Sequence, residues 1–330
     1  NGRPLAAPGK IYITGHSMGG HIAAAAVEEE THATANHKVR YDGAAPLCGV
    51  VGDRELFDYF AAAQLAAQQL AGYPAAAFPV ENFAAIRQQV QQALFTTFPA
   101  PPFYPAAVTT AQGAIFKGIM MNLTGGKRPL FDQGFGGPFL SAVWGTFGDD
   151  GTINGILNRQ GVDTNSLVYQ FDADPALSAE EYAFNASIVR ATAEPDANRL
   201  RRDGLRWIPV VNGQFTVPVV SLHTLGDLYV PFKMEQVYRK RADAGSGKEW
   251  LVQRAIRGVA HCDFTAAEQV SALKAMLDWE QKGIKPAGDD VLTPAIVAGA
   301  DYGCGFTNNT TGPDDLLLVG LLRAGLPHCR

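Results

Sequence analysis

The sequence predicts an α/β fold in which a mostly parallel β-sheet is flanked by helices and carries a large, mainly helical insertion. Three observations predict this fold. A short β-branched run ends at Gly15 and passes through a tight turn into an alanine-rich helical segment. Further short, buried β-type runs alternate with amphipathic helical patterns after residue 206. Between these two parts, the block from Val51 to about Leu205 has helical patterns and Gly-rich loops instead of strands.

Length and composition limit the possible classes of protein. The chain has 330 residues, of which 47% are hydrophobic and 18% charged, with a formal net charge of −5. This length can bury a substantial core, as one large or two ordinary domains. No basic block indicates nucleic-acid binding, and the apolar stretch Leu316–Leu322 is far shorter than the ~20 residues needed to span a bilayer. We therefore expect a soluble globular protein without nucleic-acid partners or membrane spans.

The first strand leads into the run Gly-His-Ser-Met-Gly-Gly, in which the serine is Ser17. Small residues on both sides of the turn leave the Ser17 hydroxyl clear of the backbone. The helix that follows directs its N-terminal amides at the same point, which suits a developing oxyanion. This strand, turn and helix predict a nucleophile elbow.

The elements after the elbow are predicted from periodicity and turn residues. A second parallel strand is expected over Val39–Leu47, ending at the same sheet edge as Ser17. Four helices are expected in the helical block: Glu55–Ala71, Pro79–Phe95, Ala106–Leu123 and Ala179–Thr192. We interpret this block as a lid over Ser17. Its aromatic residues either line a substrate pocket or pack the lid's own core: Phe95, Phe98, Phe103, Tyr104, Phe131, Phe135, Phe139 and Trp144.

The last part of the chain returns to strand and helix alternation. Residues 207–217 predict a β-hairpin with a type I′ turn at Asn212-Gly213. Two strands and two helices follow, over Val217–His223, Phe232–Ala242, Trp250–Ile256 and Phe264–Gln281. Asp227 comes directly after the first of these strands, and His261 follows the second. A serine needs a base to take its proton, and the base needs a partner that holds its tautomer. Ser17, His261 and Asp227 supply these groups.

The elbow around Ser17, the Gly-Asp-x-x-Val-Pro loop of Asp227 and the strand-end His261 together resemble the α/β-hydrolase superfamily, in its esterase, lipase and peptidase branches. The triad of that family runs in the chain order serine, acid, histidine, as here. The resemblance implies an α/β-hydrolase fold and assigns residues 1–50 and 206–284 to its core, 51–205 to the lid and 285–330 to a tail. It implies that the Met18 backbone N–H is one oxyanion donor.

The resemblance covers only part of the family's fold. The family places several strands before the elbow, whereas 16 residues precede Ser17 here. We therefore expect the N-terminal part of the fold, and with it the loop that gives the second oxyanion donor, to lie outside this sequence.

The four cysteines allow two disulfides. A bond between Cys304 and Cys329 would close the Gly- and Asn-rich tail, and one between Cys48 and Cys262 would brace the active-site floor. The alternative is that all four are reduced. No paired cysteine spacing predicts a metal site, and no metal or organic cofactor is expected. The even cysteine count and low lysine content favour a secreted or periplasmic protein, and Asn122, Asn185, Asn308 and Asn309 lie in glycosylation sequons.

Other candidate residues are given structural or reserve roles. His16 and His21 are expected to pack or to contact the lid. His223 is expected to lie in the core or to support the site, and His328 to be structural or exposed. Glu235 is a reserve acid, and Asp263 lies too near His261 in sequence to serve. The pairs Asp149-Asp150 and Asp314-Asp315 are interpreted as solvated turns.

These residues predict a serine hydrolase that cleaves small-molecule or polymeric carboxylic esters through an acyl-enzyme. An amidase or peptidase with the same triad, and a catalytically silent hydrolase-like binding module, remain open alternatives. The sequence indicates no oligomeric state.

Overall fold

The computed structural model describes residues 8–80, 83–100, 106–137, 140, 160–327 and 329. Its main sheet has four described strands: β1 (Tyr12–His16), β2 (Gly43–Leu47), β5 (Val219–Thr224) and β6 (Leu251–Ile256). They lie in the order β1-β2-β5-β6, and each neighbouring pair is parallel. The predicted α/β fold with a parallel sheet is confirmed. A separate short antiparallel pair consists of β3 (Phe95–Thr97) and β4 (Val108–Thr109).

The helices lie on both sides of the sheet and in the long connection between β2 and β5. Their bounds in chain order are α1 (Met18–Ala25), α2 (Glu29–Thr34), α3 (Glu55–Leu70), α4 (Phe83–Leu94), α5 (Ala111–Leu123), α6 (Phe131–Phe135), α7 (Ala179–Ser187), α8 (Lys233–Ala244), α9 (Ala266–Lys282), α10 (Pro294–Val297) and α11 (Leu317–Ala324). A short 3₁₀ helix spans Ser246–Glu249. The predicted helices are present, with ends that differ by a few residues from those expected.

The sheet is held by apolar packing on both faces. All residues of β2, β5 and β6 are buried, as expected for parallel strands covered by helices. Helix α9 packs across β2 and β5, and its Met276 and Trp279 contribute to an apolar cluster with Leu222 and Val252. Helix α9 begins with a capping box, in which Thr265 accepts from the Glu268 N–H and Glu268 accepts from the Thr265 N–H. This cap fixes where the helix begins, because Thr265 lies four residues after His261 and directly before the first helical residue.

Helices α3, α4 and α5 pack on one another around an aromatic cluster. Phe95, Phe116, Phe131 and Phe135 are buried in it, with ring centroids 5.9 to 6.4 Å apart. Phe98 packs edge-on against Phe95. Four of the aromatic residues considered as pocket lining therefore pack the helical block itself. The other four lie outside the described residues: Phe103, Tyr104, Phe139 and Trp144.

The hairpin predicted over residues 207–217 is wrong. A type I′ turn needs a positive φ at both central residues, but Gly213 has φ +74° and Asn212 is not in this region. The backbone N–H groups of Gly213 and Gln214 donate instead to the buried Glu28 carboxylate, both at 2.9 Å. One buried acidic side chain thus replaces the expected cross-strand bonds, and the segment runs without regular structure to β5.

The C-terminal tail lies along β6, which is an edge strand among the described strands. The Asp289 N–H donates to the Gln253 carbonyl at 2.7 Å, and the Asp289 carboxylate accepts from the Ala255 N–H at 2.7 Å. Thr307 accepts from the Arg257 N–H at 2.8 Å. The tail therefore covers the exposed edge of β6. No helix among the described residues is long and apolar enough to cross a membrane.

Candidate active site

Ser17 lies in a strained turn between β1 and α1. Its φ of 57° and ψ of −119° are unfavourable for a residue with a side chain, and its N–H donates to the Leu47 carbonyl at 3.0 Å. A Cβ atom on Gly15 would lie 2.5 Å from the Gly19 carbonyl oxygen, and one on Gly20 would lie 2.7 Å from the Leu47 carbonyl oxygen. Glycine is therefore required at both positions, because the backbones of strand and helix approach so closely.

The three predicted triad residues lie together at the carboxyl edge of the sheet. Asp227 follows β5 and is fully buried, and His261 follows β6. His261 Nδ1 is 2.6 Å from Asp227 Oδ2, and His261 Nε2 is 2.7 Å from Ser17 Oγ. Because a carboxylate can only accept, Nδ1 carries the proton and Nε2 accepts from the serine hydroxyl. The three side chains form one chain of hydrogen bonds.

The acid loop, residues 225–231 after β5, is fixed by backbone donors. Asp227 Oδ1 accepts from the N–H groups of Tyr229 and Val230, at 2.8 and 3.1 Å. The Tyr229 ring packs edge-on against the His261 ring, with centroids 5.5 Å apart. Each oxygen of the carboxylate thus has a partner, which leaves Oδ2 directed at the histidine.

The loop that carries His261 is tied to its surroundings on both sides. Cys48 and Cys262 form a disulfide, with their Cα atoms 5.3 Å apart, which links the end of β2 to the residue after His261. Thr224 Oγ1 donates to the Ala260 carbonyl at 3.0 Å, and the Asp263 carboxylate accepts from the Val259 N–H at 3.1 Å. The second disulfide joins Cys304 and Cys329. Both disulfide pairings are confirmed.

A cavity of about 710 Å³ opens beside Ser17. One wall is the exposed face of α1, where Met18 and Ile22 lie one turn apart, and helix α3 provides another. The remaining walls come from residues 201–209 and the acid loop. Its main aromatic residues are Phe57, Phe60, Trp207 and Tyr229. Sequence reasoning missed residues 201–209, because nothing in their local pattern shows that they reach a serine nearly 190 positions earlier.

The reserve candidates lie outside the hydrogen-bonded chain. The exposed His16 pairs with Gln269 at 2.9 Å. Asp263 is buried and faces Arg323, and Asp315 accepts from the N–H groups of Ala266 and Gly312. His328, Asp149 and Asp150 lie outside the described residues.

A buried polar group lies beneath the acid loop. His223 Nε2 donates to the Val230 carbonyl at 2.7 Å, and His223 Nδ1 is 3.5 Å from Glu235. Burial alone would lower the pKa of His223, but the Glu235 carboxylate raises it overall. Glu235 also accepts from Ser221 at 2.6 Å. Glu235 therefore supports the acid loop from below and does not contact His261 in the hydrogen bonds described.

Arg128 also contacts the loop that follows β5. It is buried, donates to the Leu225 carbonyl at 2.7 Å and lies over the Phe131 ring. Burial lowers the pKa of Arg128 to about 10, and the charge of Asp227 acts in the opposite direction. The guanidinium therefore remains charged near neutral pH.

Among the described residues, one group has the composition of a metal site: Cys48, His261 and Cys262. The two sulfur atoms are bonded to each other, so neither is available as a thiolate ligand.

Comparison with known proteins gives two esterases and an amidase. No family model matches the chain. It is 23% identical to the o-phthalyl amidase of Xanthobacter agilis over 151 aligned residues. These residues make up 46% of this chain and 30% of the amidase. Feruloyl esterase B from Aspergillus oryzae aligns with a TM-score of 0.42 and 16% identity, over 84% of this chain and 61% of the esterase. The rice cell wall degrading esterase LipA from Xanthomonas oryzae aligns with a TM-score of 0.23 and 17% identity, over 83% of this chain and 56% of LipA. The chain spans less than two thirds of each of these proteins.

Proposed function

We propose that the chain is a serine hydrolase of the α/β-hydrolase type that cleaves carboxylic esters by acyl transfer. The observation that carries the proposal is the continuous hydrogen-bonded chain from Ser17 Oγ through His261 to Asp227, with distances of 2.7 and 2.6 Å. Its three members come from three loops at the carboxyl edge of a parallel sheet, where ligands bind in open α/β folds.

In the proposed acylation, Ser17 Oγ attacks the ester carbonyl carbon while His261 Nε2 takes the hydroxyl proton. Asp227 stabilises the imidazolium and keeps its Nδ1–H in place. Collapse of the tetrahedral intermediate breaks the bond to the alcohol, which leaves with the proton from Nε2. A water molecule then attacks the acyl-enzyme, gives its proton to His261 and releases the acid, and Ser17 regains its proton.

The N-terminus of α1 suits the developing negative charge. Met18 is the first residue of α1, and N–H groups in the first turn of a helix have no partner within the helix. The Met18 N–H follows the nucleophile directly, which is the position of an oxyanion donor in a nucleophile elbow. We assign it that role.

The cavity beside Ser17 favours a bulky, largely apolar acyl or alcohol group. Its volume of about 710 Å³ is within the range of sites that enclose drug-sized ligands, and its lining is mainly apolar and includes four aromatic side chains. Helix α3 and residues 201–205, which belong to the block 51–205, line it together with residues 206–209 and α1 of the proposed core. The contact of the block with the cavity supports its proposed role as a lid at 51–205 over a hydrolase core.

An amidase is the second candidate, and the sequence similarity to o-phthalyl amidase favours it. The same triad cleaves either bond, so a matched pair of substrates separates the two functions. Hydrolysis of an aryl ester with no detectable hydrolysis of the corresponding anilide would support the esterase, and Ser17-dependent turnover of the anilide as well would support the amidase.

The two disulfides support an oxidising compartment, because such bonds persist in secreted and periplasmic proteins. We propose that the protein acts there.

Labelling with a fluorophosphonate tests the central proposal. We expect the full chain to be modified at Ser17, with loss of ester hydrolysis, and the variant Ser17→Ala to be neither labelled nor active. Serines elsewhere, such as the buried Ser221, should not react. A folded protein that stays unlabelled would instead favour a silent binding module.

A further inference from the structure

His21 lies in the cavity wall, one helical turn beyond the nucleophile. It is 6% exposed and its N–H donates to the Ser17 carbonyl at 3.0 Å. Ser17 and His21 both line this cavity, so a substrate bound there with its carbonyl at Ser17 would lie beside His21.

The tautomer of His21 follows from its one hydrogen bond. Nε2 is 2.6 Å from the Pro209 carbonyl oxygen, which can only accept, so Nε2 carries a proton. Burial lowers the pKa of His21, while the Asp53 charge acts to raise it and the Arg241 charge to lower it further. The ring is therefore neutral near pH 7, and its Nδ1 atom presents a lone pair.

This lone pair has no partner among the described residues. The hydrogen bond of His21 is made by Nε2, and the side chain lines the cavity. We infer that Nδ1 is directed at the cavity. The two arginines that line the cavity already have partners. Arg206 pairs with Glu30 at 2.6 Å, and Arg201 pairs with Asp203.

We propose that His21 Nδ1 accepts a hydrogen bond from a hydroxyl or amide N–H group on the bulky part of the substrate. His21 is then a specificity-determining residue, and the preferred substrates are aryl or similarly large esters that carry such a donor close to the reacting carbonyl. This inference rests on the proposed function. An apolar substrate of the same shape would remove water from Nδ1 without replacing its hydrogen bond, and a neutral hydrogen bond corresponds to about a tenfold preference.

The test compares pairs of aryl esters that differ in one ring substituent, hydroxyl or hydrogen, with the hydroxyl moved around the ring. We expect kcat/KM of the wild-type protein to favour the hydroxylated member about tenfold at one ring position. In His21→Leu this ratio should fall to about one. In His21→Gln it should be largely retained, because an amide can donate to Pro209 and still present an acceptor. His37→Leu, which removes an exposed histidine, is the matched control and should keep the wild-type ratio. An unchanged ratio in a folded His21→Leu variant would overturn the proposal.

Binding of phenol and of anisole to the wild-type protein gives a second measurement that needs neither turnover nor a variant. We expect phenol, which donates, to shift the ¹⁵N resonance of His21 Nδ1, and anisole, which cannot donate, to leave it unshifted. Equal responses to the two would contradict the role of His21. Failure of Ser17 labelling would count against the proposed hydrolase and leave this comparison standing.

Discussion

Removal of the Cys48–Cys262 disulfide, by the double substitution Cys48→Ala and Cys262→Ala, should reduce both stability and activity. The bond joins residues 214 positions apart, so it constrains a long loop in the unfolded chain. The loop-entropy relation gives about 5 kcal/mol for this length. The same relation gives about 3.5 kcal/mol for Cys304–Cys329, whose separation is 25.

The two disulfides should differ much more in their effect on catalysis. Cys262 is bonded within one residue of His261, and Cys48 follows the β2 residue whose carbonyl accepts from the Ser17 N–H. Loss of this bond would allow His261, the proposed base, to move relative to Ser17, the proposed nucleophile. A displacement of about 1 Å can lower the rate about 100-fold. Cys304→Ala with Cys329→Ala is the matched control, because it removes a disulfide within the tail that adjoins neither Ser17 nor His261 in sequence.

The assay combines urea unfolding with steady-state kinetics on one aryl ester. Kinetics are measured at a temperature and urea concentration at which each double variant is folded. We expect kcat of the Cys48/Cys262 variant to fall about 100-fold with a smaller change in KM, and the tail variant to lose stability with a smaller loss of kcat. Equal kcat values for the two folded variants would refute the idea that Cys48–Cys262 positions the base.

Three further predictions concern groups away from the reacting atoms. Burial raises the pKa of Glu28 to about 7, above the ordinary 4.5, so between these pH values the folded state holds a proton that the unfolded chain releases. The contribution of Glu28 to the free energy of unfolding should therefore fall by about 3 kcal/mol as the pH rises from 4.5 to 7. In urea titrations across that range, Glu28→Gln should remove this part of the pH dependence. Arg323→Met should leave the buried Glu268 carboxylate without its 3.1 Å ion pair and lower kcat through the His261 loop, with partial recovery in Arg323→Lys; a change in KM alone would argue against it. Gly20→Ala should lose most of its activity and unfold at a lower temperature than the wild-type protein. At Gly19 a Cβ atom would meet nothing within 4 Å, so Gly19→Ala should lower the free energy of unfolding by about 1 kcal/mol or less.

The positions of Ser17, Asp227 and His261 could be predicted because each follows its own strand within a few residues. In a parallel sheet the carboxyl ends of neighbouring strands meet at one edge, so three local patterns were enough to place three side chains together. The order β1-β2-β5-β6 then brings the acid and histidine loops to adjacent strands.

The cavity wall could not be predicted in the same way. Phe57 and Trp207 are 150 positions apart and belong to segments whose local patterns indicate only a helix and a hairpin strand. The aromatic residues that stood out in the sequence, such as Phe95 and Phe135, instead fill the interior of the helical block. Clustering in sequence does not distinguish an aromatic side chain that lines a cavity from one that packs a core, because both positions are apolar.

The failed hairpin has a related cause. Asn212-Gly213 between two β-type runs is a strong local signal for a turn, but the signal takes no account of a distant buried acceptor. Glu28 is 185 positions from Gly213 in sequence, and its carboxylate satisfies the N–H groups that a partner strand would otherwise have bonded. A buried carboxylate needs hydrogen-bond donors, and the buried N–H groups of this segment need an acceptor. The contact between Glu28 and Gly213 meets both requirements.

The C-terminal tail contacts both β6 and the loop that carries His261. Because β6 has one described neighbour in the sheet, its outer edge needs another partner for its backbone, and residues around Asp289 and Thr307 supply it. The same tail also contacts the His261 loop at both of its ends. The Arg257 guanidinium donates to the carbonyls of Ala300 and Tyr302 at 2.9 and 3.1 Å, and Arg323 reaches Asp263 and Glu268 beyond the histidine. A loop that leaves an edge strand would otherwise be held on one side only, so the precision of the His261–Ser17 contact depends on the tail as well as on the sheet.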